Sequence, residues 1–303
     1  MEGQRKHQPA AWVKYSGNPV LGGKLGVCFD VCVLLEDGEY RMYFSWRDKG
    51  SIALARSRDG YSFDEPEVVL SPRPTAAGYE DDVNRPVVLR RGGRYYMWYT
   101  GQYKPGQADG TSHIFCAVSD DGVHFERAAE TPVLSPEAEW EKSAVMSPHV
   151  LFDEASQLYK MWYSAGEQYE PNAIGYAVSD DGLQWQKQPE NPVFTAGEAG
   201  AWDSYKVAGC QVIRTGDIYT MLYIGYPNDH DAKIGMAYSR DGVTGWKRAG
   251  EGPIITPDAG AWDSEACYKP YAVFDGRKWR LYYNGRTGGV EQIGLAERTG
   301  ADL

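Results

Sequence analysis

A segment of about sixty residues recurs along this chain, and the recurrence limits the available folds more than any other feature. A Ser-x-Asp-Gly element begins at Ser57 and returns at Ser119, Ser179 and Ser239. An aromatic run precedes each copy, as in YYMWYTG ahead of the copy at Ser119. A fifth aromatic run, WRLYYNG from Trp279, has no such element after it. The 303 residues therefore hold five units of similar length.

The second unit shows how each unit is built. It contains RPVVLRR, a Gly-Gly pair, YYMWYTG, IFCAVS, Asp121-Gly122 and HFERA in succession. This order predicts four short strands joined by turns. We expect Asp121-Gly122 to form a type I′ turn, in which both residues take positive φ. The doubled Asp120-Asp121 is then part of a turn rather than a metal or catalytic site. No unit has a sustained 3.6-residue period, so helices should be few.

Five units of four antiparallel strands predict an all-β fold, a five-bladed β-propeller. We place the blades at about 22–70, 71–130, 131–190, 191–250 and 251–303, in a single domain spanning 1–303. The last unit lacks a fourth strand, and WVKYSGNPVL at Trp12–Leu21 matches the fourth-strand segment WQKQPENPVF at Trp185–Phe194. We predict that Trp12–Leu21 pairs with Glu291–Arg298, completing the last blade, closing the ring and protecting an edge.

Composition and charge exclude several classes of partner. The net charge of −11 disfavours nucleic acid, which is bound through cationic patches. No apolar run reaches about 18 residues, so no membrane span is predicted, and the first twelve residues lack the apolar core of a signal peptide. The five cysteines are odd in number and lack metal-site spacing. We therefore expect reduced thiols in a cytoplasmic protein. The sequence carries no signal for an oligomeric state.

Positions at which the units differ are better candidates for chemistry than positions that repeat, because one reaction centre needs each group once. The innermost strands of a propeller start near its central pocket, where converging polar groups can bind a small molecule. Aligning these strands on the residue before a proline, or on its equivalent, gives Asp30, Arg85, Ser147, Gly209 and Lys269. The other polar candidates near these strands are Asp82, Asn84, His149, Lys206, Gln211, Glu265, Arg286 and Glu291.

The chain resembles the five-bladed glycoside hydrolase superfamily of families 43, 32, 62, 68, 117 and 130. The D-x-x-V motif at Asp30–Val33, the WDS segments, the MWYSG-like strands and the Ser-x-Asp-Gly turns carry this resemblance. It implies an exo-acting glycosidase, similar to families 43 and 32, whose substrate is an oligosaccharide or other glycoside such as a pentofuranoside or fructoside. The resemblance implies that no cofactor is required. A central structural metal ion is possible, although the chain has no metal-ligand motif.

The resemblance also implies roles for the carboxylates. The family's catalytic aspartate opens the inner strand of the first blade, and Asp30 matches it as general base or nucleophile. The later carboxylates depart from the family pattern, because Arg85 and Ser147 stand before the prolines where acids are common. Asp82 and Glu265 are the candidates for the remaining acid.

The remaining candidates leave other functions open. Arg85, Lys206, Lys269 and Arg286 could pair with the acids, bind an anionic sugar, or bind inorganic phosphate as the mannoside phosphorylases of the superfamily do. A non-catalytic carbohydrate-binding propeller would use the same pocket. The residues expected to bind substrate are Asn84, Arg85, His149, Lys206, Gln211, Lys269, Arg286 and Glu291. Trp46 is the tryptophan that we expect to stack on sugar.

Overall fold

Strands are the main regular secondary structure of the residues that the structure describes. The structure is a computed structural model that describes residues 11–73 and 78–303, so the segment used to judge a signal peptide lies largely outside the described residues. Those ranges hold twenty strands and three short 3-10 helices, at Gly23–Leu25, Arg47–Lys49 and Glu139–Glu141. The all-β prediction is confirmed. None of the helices in the described part of the chain has the length and apolar character needed to cross a membrane.

The strands form five antiparallel units of four, called here units I to V. Unit I consists of β2 (Cys28–Glu36), β3 (Glu39–Trp46), β4 (Ser51–Ser57) and β5 (Glu67–Leu70). Unit II consists of β6 (Asp82–Arg91), β7 (Arg94–Tyr103), β8 (Thr111–Ser119) and β9 (Glu126–Arg127). Unit III consists of β10 (Ala144–Asp153), β11 (Leu158–Glu167), β12 (Glu170–Ser179) and β13 (Gln186–Lys187). Unit IV consists of β14 (Lys206–Thr215), β15 (Ile218–Tyr226), β16 (Lys233–Ser239) and β17 (Lys247–Arg248). Unit V consists of β18 (Ala266–Phe274), β19 (Lys278–Thr287), β20 (Val290–Thr299) and β1 (Val13–Lys14). A single parallel bridge, from Ser112 to Ala144, joins units II and III into one sheet.

The fourth strand of unit V comes from the other end of the chain. Val13 pairs with Glu297 in an antiparallel register, and Leu21 forms a further bridge with Ile293. Between them the side-chain amide of Asn18 donates to the carbonyl of Leu295 and accepts from its N–H, both at 2.8 Å. Asn191 makes the same pair of bonds with Tyr176 in unit III. The segment Trp12–Leu21 therefore pairs with the strand that its sequence match predicts.

The Ser-x-Asp-Gly elements form turns of a different kind from the one predicted. Only the glycine takes positive φ, 75° at Gly122, so these are not type I′ turns. Asp121 instead accepts the N–H groups of Val123 and His124 at 2.8 and 2.9 Å. The hydroxyl of Ser119 accepts the N–H of Gly122 at 3.0 Å. The aspartate stabilises a wider loop through its side chain, which removes the need for a left-handed residue at that position.

A buried acid ties the outer strand to the inner strands in units II to V. In unit IV, Asp203 accepts the hydroxyl of Tyr223 at 2.8 Å and pairs with Arg248 of β17 at 2.6 Å. The equivalent trios are Glu80, Tyr99 and Arg127 in unit II, Glu141, Tyr163 and Lys187 in unit III, and Asp263, Tyr283 and Lys14 in unit V. Unit I has Phe44 in place of the tyrosine, and it lacks this trio. We call these four sets the acid–tyrosine–cation trios.

In units II, III and V, an aromatic side chain of the second strand also donates a hydrogen bond to a neighbouring unit. The indole N–H of Trp98 donates to the carbonyl of Gly182, and that of Trp162 donates to Gly242, both at 2.8 Å. The hydroxyl of Tyr282 in unit V donates to Gly60 of unit I at 2.9 Å. Trp98 and Trp162 are fully buried, as expected for packing residues. All five cysteines are buried and form no disulfide.

Candidate functional site

The first strand of every unit is interrupted at the aligned position. Asp30, Arg85, Ser147, Gly209 and Lys269 all take positive φ, between 35° and 55°. Each begins a bulge at which the register with the second strand shifts. Four of the five are not glycine, so the backbone holds a conformation that such residues seldom adopt. The alignment made on the prolines therefore identifies five structurally equivalent residues.

Hydroxyl groups of the preceding unit hold three of these bulges. The N–H of Arg85 donates to Ser45 Oγ at 2.8 Å, and the N–H of Gly209 donates to Ser164 Oγ at 2.7 Å. Thr100 accepts the N–H of Ser147 in the same way at 3.1 Å. Because neighbouring side chains satisfy the backbone here, the side chain of the bulge residue is free to differ between units.

A cavity of about 250 Å³ opens at the end of the inner strands where these bulges lie. All five units contribute to its lining. The predicted site residues that line it are Asp30, Arg85, Lys206, Arg286 and Glu291. The structure thus brings together one acid from unit I, one from unit V and cations from three other places in the chain.

Asp30 is buried in the wall of this cavity, with 5% of its surface exposed. Its Oδ2 lies 3.4 Å from Nε of Arg85 and forms no hydrogen bond with any described residue. Burial raises the pKa of Asp30, and the positive charges of Arg85 and Lys269 oppose that rise. A carboxyl group with few partners, whose pKa is raised by burial and lowered by nearby cations, is suited to proton transfer.

Glu291 is the second acid of the cavity, and two residues hold it. Its carboxylate lies 3.2 Å from the guanidinium of Arg47 and accepts a hydrogen bond from the hydroxyl of Tyr268. The guanidinium of Arg47 in turn lies 4.4 Å from the ring centroid of Phe29. Burial raises the pKa of Tyr268, so its hydroxyl remains a donor. The negative charge of Glu291 contributes to the raised pKa of Asp30, which places the two acids within electrostatic range.

Sequence reasoning missed Arg47 and Tyr268, together with Tyr169, Tyr226, Asp229 and His230 of the cavity lining. The alignment covered the starts of the first strands. In an antiparallel unit, the end of the second strand and the start of the third lie beside that start. Extending the alignment to the loops between second and third strands would have included Arg47, Tyr169 and His230.

Three predicted residues lie just behind the cavity wall. Lys269 is 3% exposed, and its Cδ lies 3.4 Å from the point where a Cβ on Gly209 would stand. Burial lowers the pKa of Lys269. Asn84 accepts a hydrogen bond from the Arg85 guanidinium at 2.6 Å and donates to Asp82 at 3.1 Å. Burial raises the pKa of Asp82. Asp82 and Asn84 therefore support Arg85 from behind.

Two predicted residues face the other end of the inner strands, where they line a second cavity. His149 donates from Nε2 to the carbonyl of Val212 at 2.8 Å, and burial lowers its pKa to about 3. Gln211 bonds to both the N–H and the carbonyl of Ala272, at 2.6 and 2.9 Å. His149 and Gln211 come two residues after the bulge residues Ser147 and Gly209. Two residues advance a strand by about 7 Å, so these side chains lie beyond the cavity that contains Asp30.

Glu265 and Trp46 also lie outside the Asp30 cavity lining. The side chain of Glu265 is 46% exposed, accepts the N–H of Gly288 at 2.8 Å and lies 3.4 Å from Arg286. The indole of Trp46 is half-buried and donates to the carbonyl of Leu25 at 2.7 Å. The structure thus places Glu265 on the surface and Trp46 outside the lining of the cavity that contains Asp30.

Cations outnumber acids in the cavity lining. Arg47, Arg85, Lys206 and Arg286 line it together with the acids Asp30, Asp229 and Glu291. Across residues 11–73 and 78–303, no three His, Cys, Asp or Glu side chains are grouped so that they could hold a metal ion. Side chains of both charges therefore face one cavity.

An all-β fold of four-stranded units has acids and cations converging on a cavity at one end of the inner strands, an arrangement that can bind a polar small molecule. The chain belongs to the glycosyl hydrolases family 43, whose model matches residues 16–300. This finding confirms the resemblance noted from the sequence.

The chain is also similar to individual proteins. An uncharacterised protein of Mycobacterium tuberculosis (strain ATCC 25618 / H37Rv) is 31% identical over 282 residues, which cover 86% of this chain and 89% of that protein. A beta-1,2-mannobiose phosphorylase of Thermoanaerobacter sp. (strain X514) is 30% identical over 138 residues, covering 40% of this chain and 44% of that protein. The crystal structure of a glycosyl hydrolase from Bacteroides ovatus has the same fold, with a TM-score of 0.77, 17% identity and coverage of 96% of this chain and 95% of that chain.

Proposed function

We propose that this protein cleaves a glycosidic bond in the cavity, with Asp30 as the carboxyl group that takes part in the reaction. The observation that carries the proposal is the placement of Asp30. It is buried on a first-strand bulge, lies 3.4 Å from Arg85, and shares the cavity lining with a second acid, Glu291. Membership of a glycosidase family supports the same reaction class.

The same proposal includes a closed five-bladed propeller. Units I to V are the blades of a single domain spanning 1–303, and β1 completes the last blade. The pairing of Val13 with Glu297 and the bond from Tyr282 to Gly60 support closure, because they join unit V to the start of the chain and to unit I. A closed ring gives the five first strands one shared axis, on which their side chains meet.

Hydrolysis needs a second group beside Asp30. One carboxyl group protonates the leaving oxygen, while the other activates water or attacks the anomeric carbon. Asp82 and Glu265 were expected to supply the acid, but neither lines the cavity, and Glu291 does. We therefore assign Asp30 as base or nucleophile and Glu291 as its partner, with Arg47 and Tyr268 fixing the position of Glu291. The substrate is a terminal sugar of an oligosaccharide or other glycoside, and the buried reduced thiols favour a cytoplasmic setting.

Phosphorolysis is the second candidate, because four cations line the cavity. Phosphate bound by Arg85 and its neighbours would attack the anomeric carbon with an oxygen lone pair. The bond from that carbon to the leaving oxygen would break, and the leaving oxygen would take the proton of Asp30. Asp30 would then be the acid, a role favoured by a buried carboxyl group. The partial match to a beta-1,2-mannobiose phosphorylase supports this candidate.

One experiment separates the candidates. The purified protein is incubated with pentosides, fructosides, mannosides and uronides, with and without inorganic phosphate. Hydrolysis gives free sugar at a rate independent of phosphate, whereas phosphorolysis gives a sugar 1-phosphate only when phosphate is present. Glycan binding without turnover throughout the panel would instead indicate a non-catalytic carbohydrate-binding propeller and would contradict the proposal.

The roles of the two acids are tested with Asp30→Asn and Glu291→Gln. Loss of either group is expected to lower kcat by about 10²–10⁴-fold, the contribution typical of a positioned acid or base. Asp121→Asn and Glu265→Gln are the matched controls and should retain most of the activity. Full activity in Glu291→Gln, with a large loss in Glu265→Gln, would contradict the assignment of Glu291.

A further inference from the structure

We propose that Tyr169 is a stacking platform for the second sugar of the substrate, so that the preferred leaving group is itself a sugar. The inference rests on the proposed bond cleavage in the cavity and narrows its substrate class to oligosaccharides. Tyr169 takes the role that sequence reasoning gave to Trp46.

Tyr169 lies at the boundary between the cavity and solvent. It lies in the loop between β11 and β12 and lines the same cavity as Asp30. Even so, 46% of its surface is exposed, which makes it one of the few large apolar side chains exposed in the described part of the chain. Tyrosine combines an apolar ring with a polar hydroxyl, which suits a surface that is covered only when a ligand binds.

The backbone next to Tyr169 is tied firmly to the neighbouring unit. Gln168 is 4% exposed and accepts the N–H of Gly106 at 3.1 Å. Its amide also donates to the carbonyls of Tyr103 and Thr111 at 2.9 and 2.8 Å. These three bonds join the Tyr169 loop to the β7–β8 loop of unit II. The exposed ring is therefore carried on a pre-organised support, which reduces the entropy lost when a ligand binds.

The surroundings of the ring fit an uncharged sugar. Pro171, two residues along the chain, lines the same cavity and adds an apolar surface, while Lys206 lines it with a polar group. A sugar ring presents C–H groups on its faces and hydroxyl groups at its rim. It can therefore cover the tyrosine ring while its hydroxyls reach polar neighbours. A terminal sugar in the cavity beside Asp30 would leave the next sugar of the chain at this rim.

The test compares two substrates of the sugar that the panel identifies. One is a disaccharide, and the other is the glycosyl fluoride, whose leaving group is too small to reach Tyr169. Tyr169→Ala is expected to lower kcat/KM on the disaccharide about tenfold, mainly through KM, because the second sugar loses the aromatic surface that it covers. The fluoride should be cleaved at the wild-type rate, and Tyr169→Phe should retain activity on both. Phe274→Ala removes an exposed aromatic that lines the second cavity, and it should change neither rate.

A binding measurement separates failure of this inference from failure of the proposed function. Calorimetric titration of the Asp30→Asn variant should show the disaccharide binding about tenfold more tightly than the monosaccharide. Adding Tyr169→Ala should remove that difference. Equal affinities for the two sugars before that substitution, or an equal loss on both substrates in Tyr169→Ala, would overturn the platform. Absence of turnover in the wild type, with the affinity difference intact, would overturn the cleavage proposal and retain a two-sugar binding site.

Discussion

The Ser-x-Asp-Gly turns and the first-strand bulges both recur around the molecule, but their side chains behave in opposite ways. Four turns keep the same residues and the same hydrogen bonds, as Ser119 and Asp121 illustrate. Five bulges keep a positive φ but differ in side chain, from Asp30 to Lys269. In the turns the side chain holds the backbone. At three bulges a hydroxyl of the preceding unit holds the backbone instead. The side chain of the bulge residue is then not needed for the fold and can line the cavity.

The buried acids show the same difference. Asp203 has a tyrosine hydroxyl and an arginine within 2.8 Å, and its counterparts in three other units have equivalent partners. Asp30 has only an arginine at 3.4 Å and an oxygen with no hydrogen bond among the described residues. Asp203 and Asp263 also keep one oxygen without a hydrogen bond among the described residues, so the difference lies in the tyrosine and the cation that bond to their other oxygen. Repeated acids bonded in this way stabilise the fold, whereas the single acid without such partners is the candidate for chemistry.

The largest expected effect compares Asp30 with Asp121. Asp30→Asn should lower kcat/KM by about 10²–10⁴-fold with an unchanged melting temperature, because an amide cannot transfer the proton. Asp121→Asn should keep kcat/KM within about twofold, because an asparagine oxygen can still accept the N–H groups of Val123 and His124. Steady-state kinetics and thermal unfolding measure both. A large loss of activity in folded Asp121→Asn would reverse the comparison.

The second prediction concerns the trio that includes the N-terminal strand. Lys14→Met should lower the free energy of unfolding by about 3 kcal/mol, because it leaves the carboxylate of Asp263, which is 0% exposed, without its cation at 2.6 Å. Lys24→Met is the control, because that lysine is 81% exposed and its ion pair contributes little. Denaturant unfolding checks both. Equal stability of the two variants would show that β1 does not support unit V.

The third prediction concerns the residues two positions beyond the bulges. Gln211→Leu should lower the free energy of unfolding by about 1–3 kcal/mol, because the N–H and carbonyl of Ala272 lose their partners. The kcat/KM should remain at the wild-type value, because Gln211 lies outside the cavity that contains Asp30. A clear rise in KM at unchanged stability would restore the substrate-binding role expected from the sequence.

The smallest expected effect is on the pH dependence of stability. The hydrogen bond from Lys160 lowers the pKa of Asp153 to about 2. This carboxylate therefore contributes stability that is complete above about pH 4, near its unfolded pKa, and is lost as the pH falls toward 2. Asp153→Asn should reduce the slope of stability against pH in that window. Asp217→Asn, at an exposed turn, is the control and should leave the slope unchanged.

Most of the fold follows from local patterns in the sequence. The spacing of the Ser-x-Asp-Gly elements predicts the units, and the match of Trp12–Leu21 to Trp185–Phe194 predicts the pairing of β1. The proline-based alignment predicts five equivalent positions, which prove to be equivalent bulges. The turn type was wrong because an aspartate side chain can replace a left-handed backbone, a choice that the dipeptide Asp-Gly does not reveal.

Within the candidate site, the sequence alone determined that Asp30, Arg85 and Lys269 occupy equivalent places, because the repeat has one period throughout the chain. Only the tertiary structure decided which polar residues share the cavity. Glu265 and Glu291 belong to one unit, yet only Glu291 lines the cavity with Asp30. Which side chains line the same cavity depends on loops that differ in length between units and on side-chain directions set by contacts between units. Neither is encoded in a local pattern, so the partners of Asp30 emerge only when five distant segments are brought together.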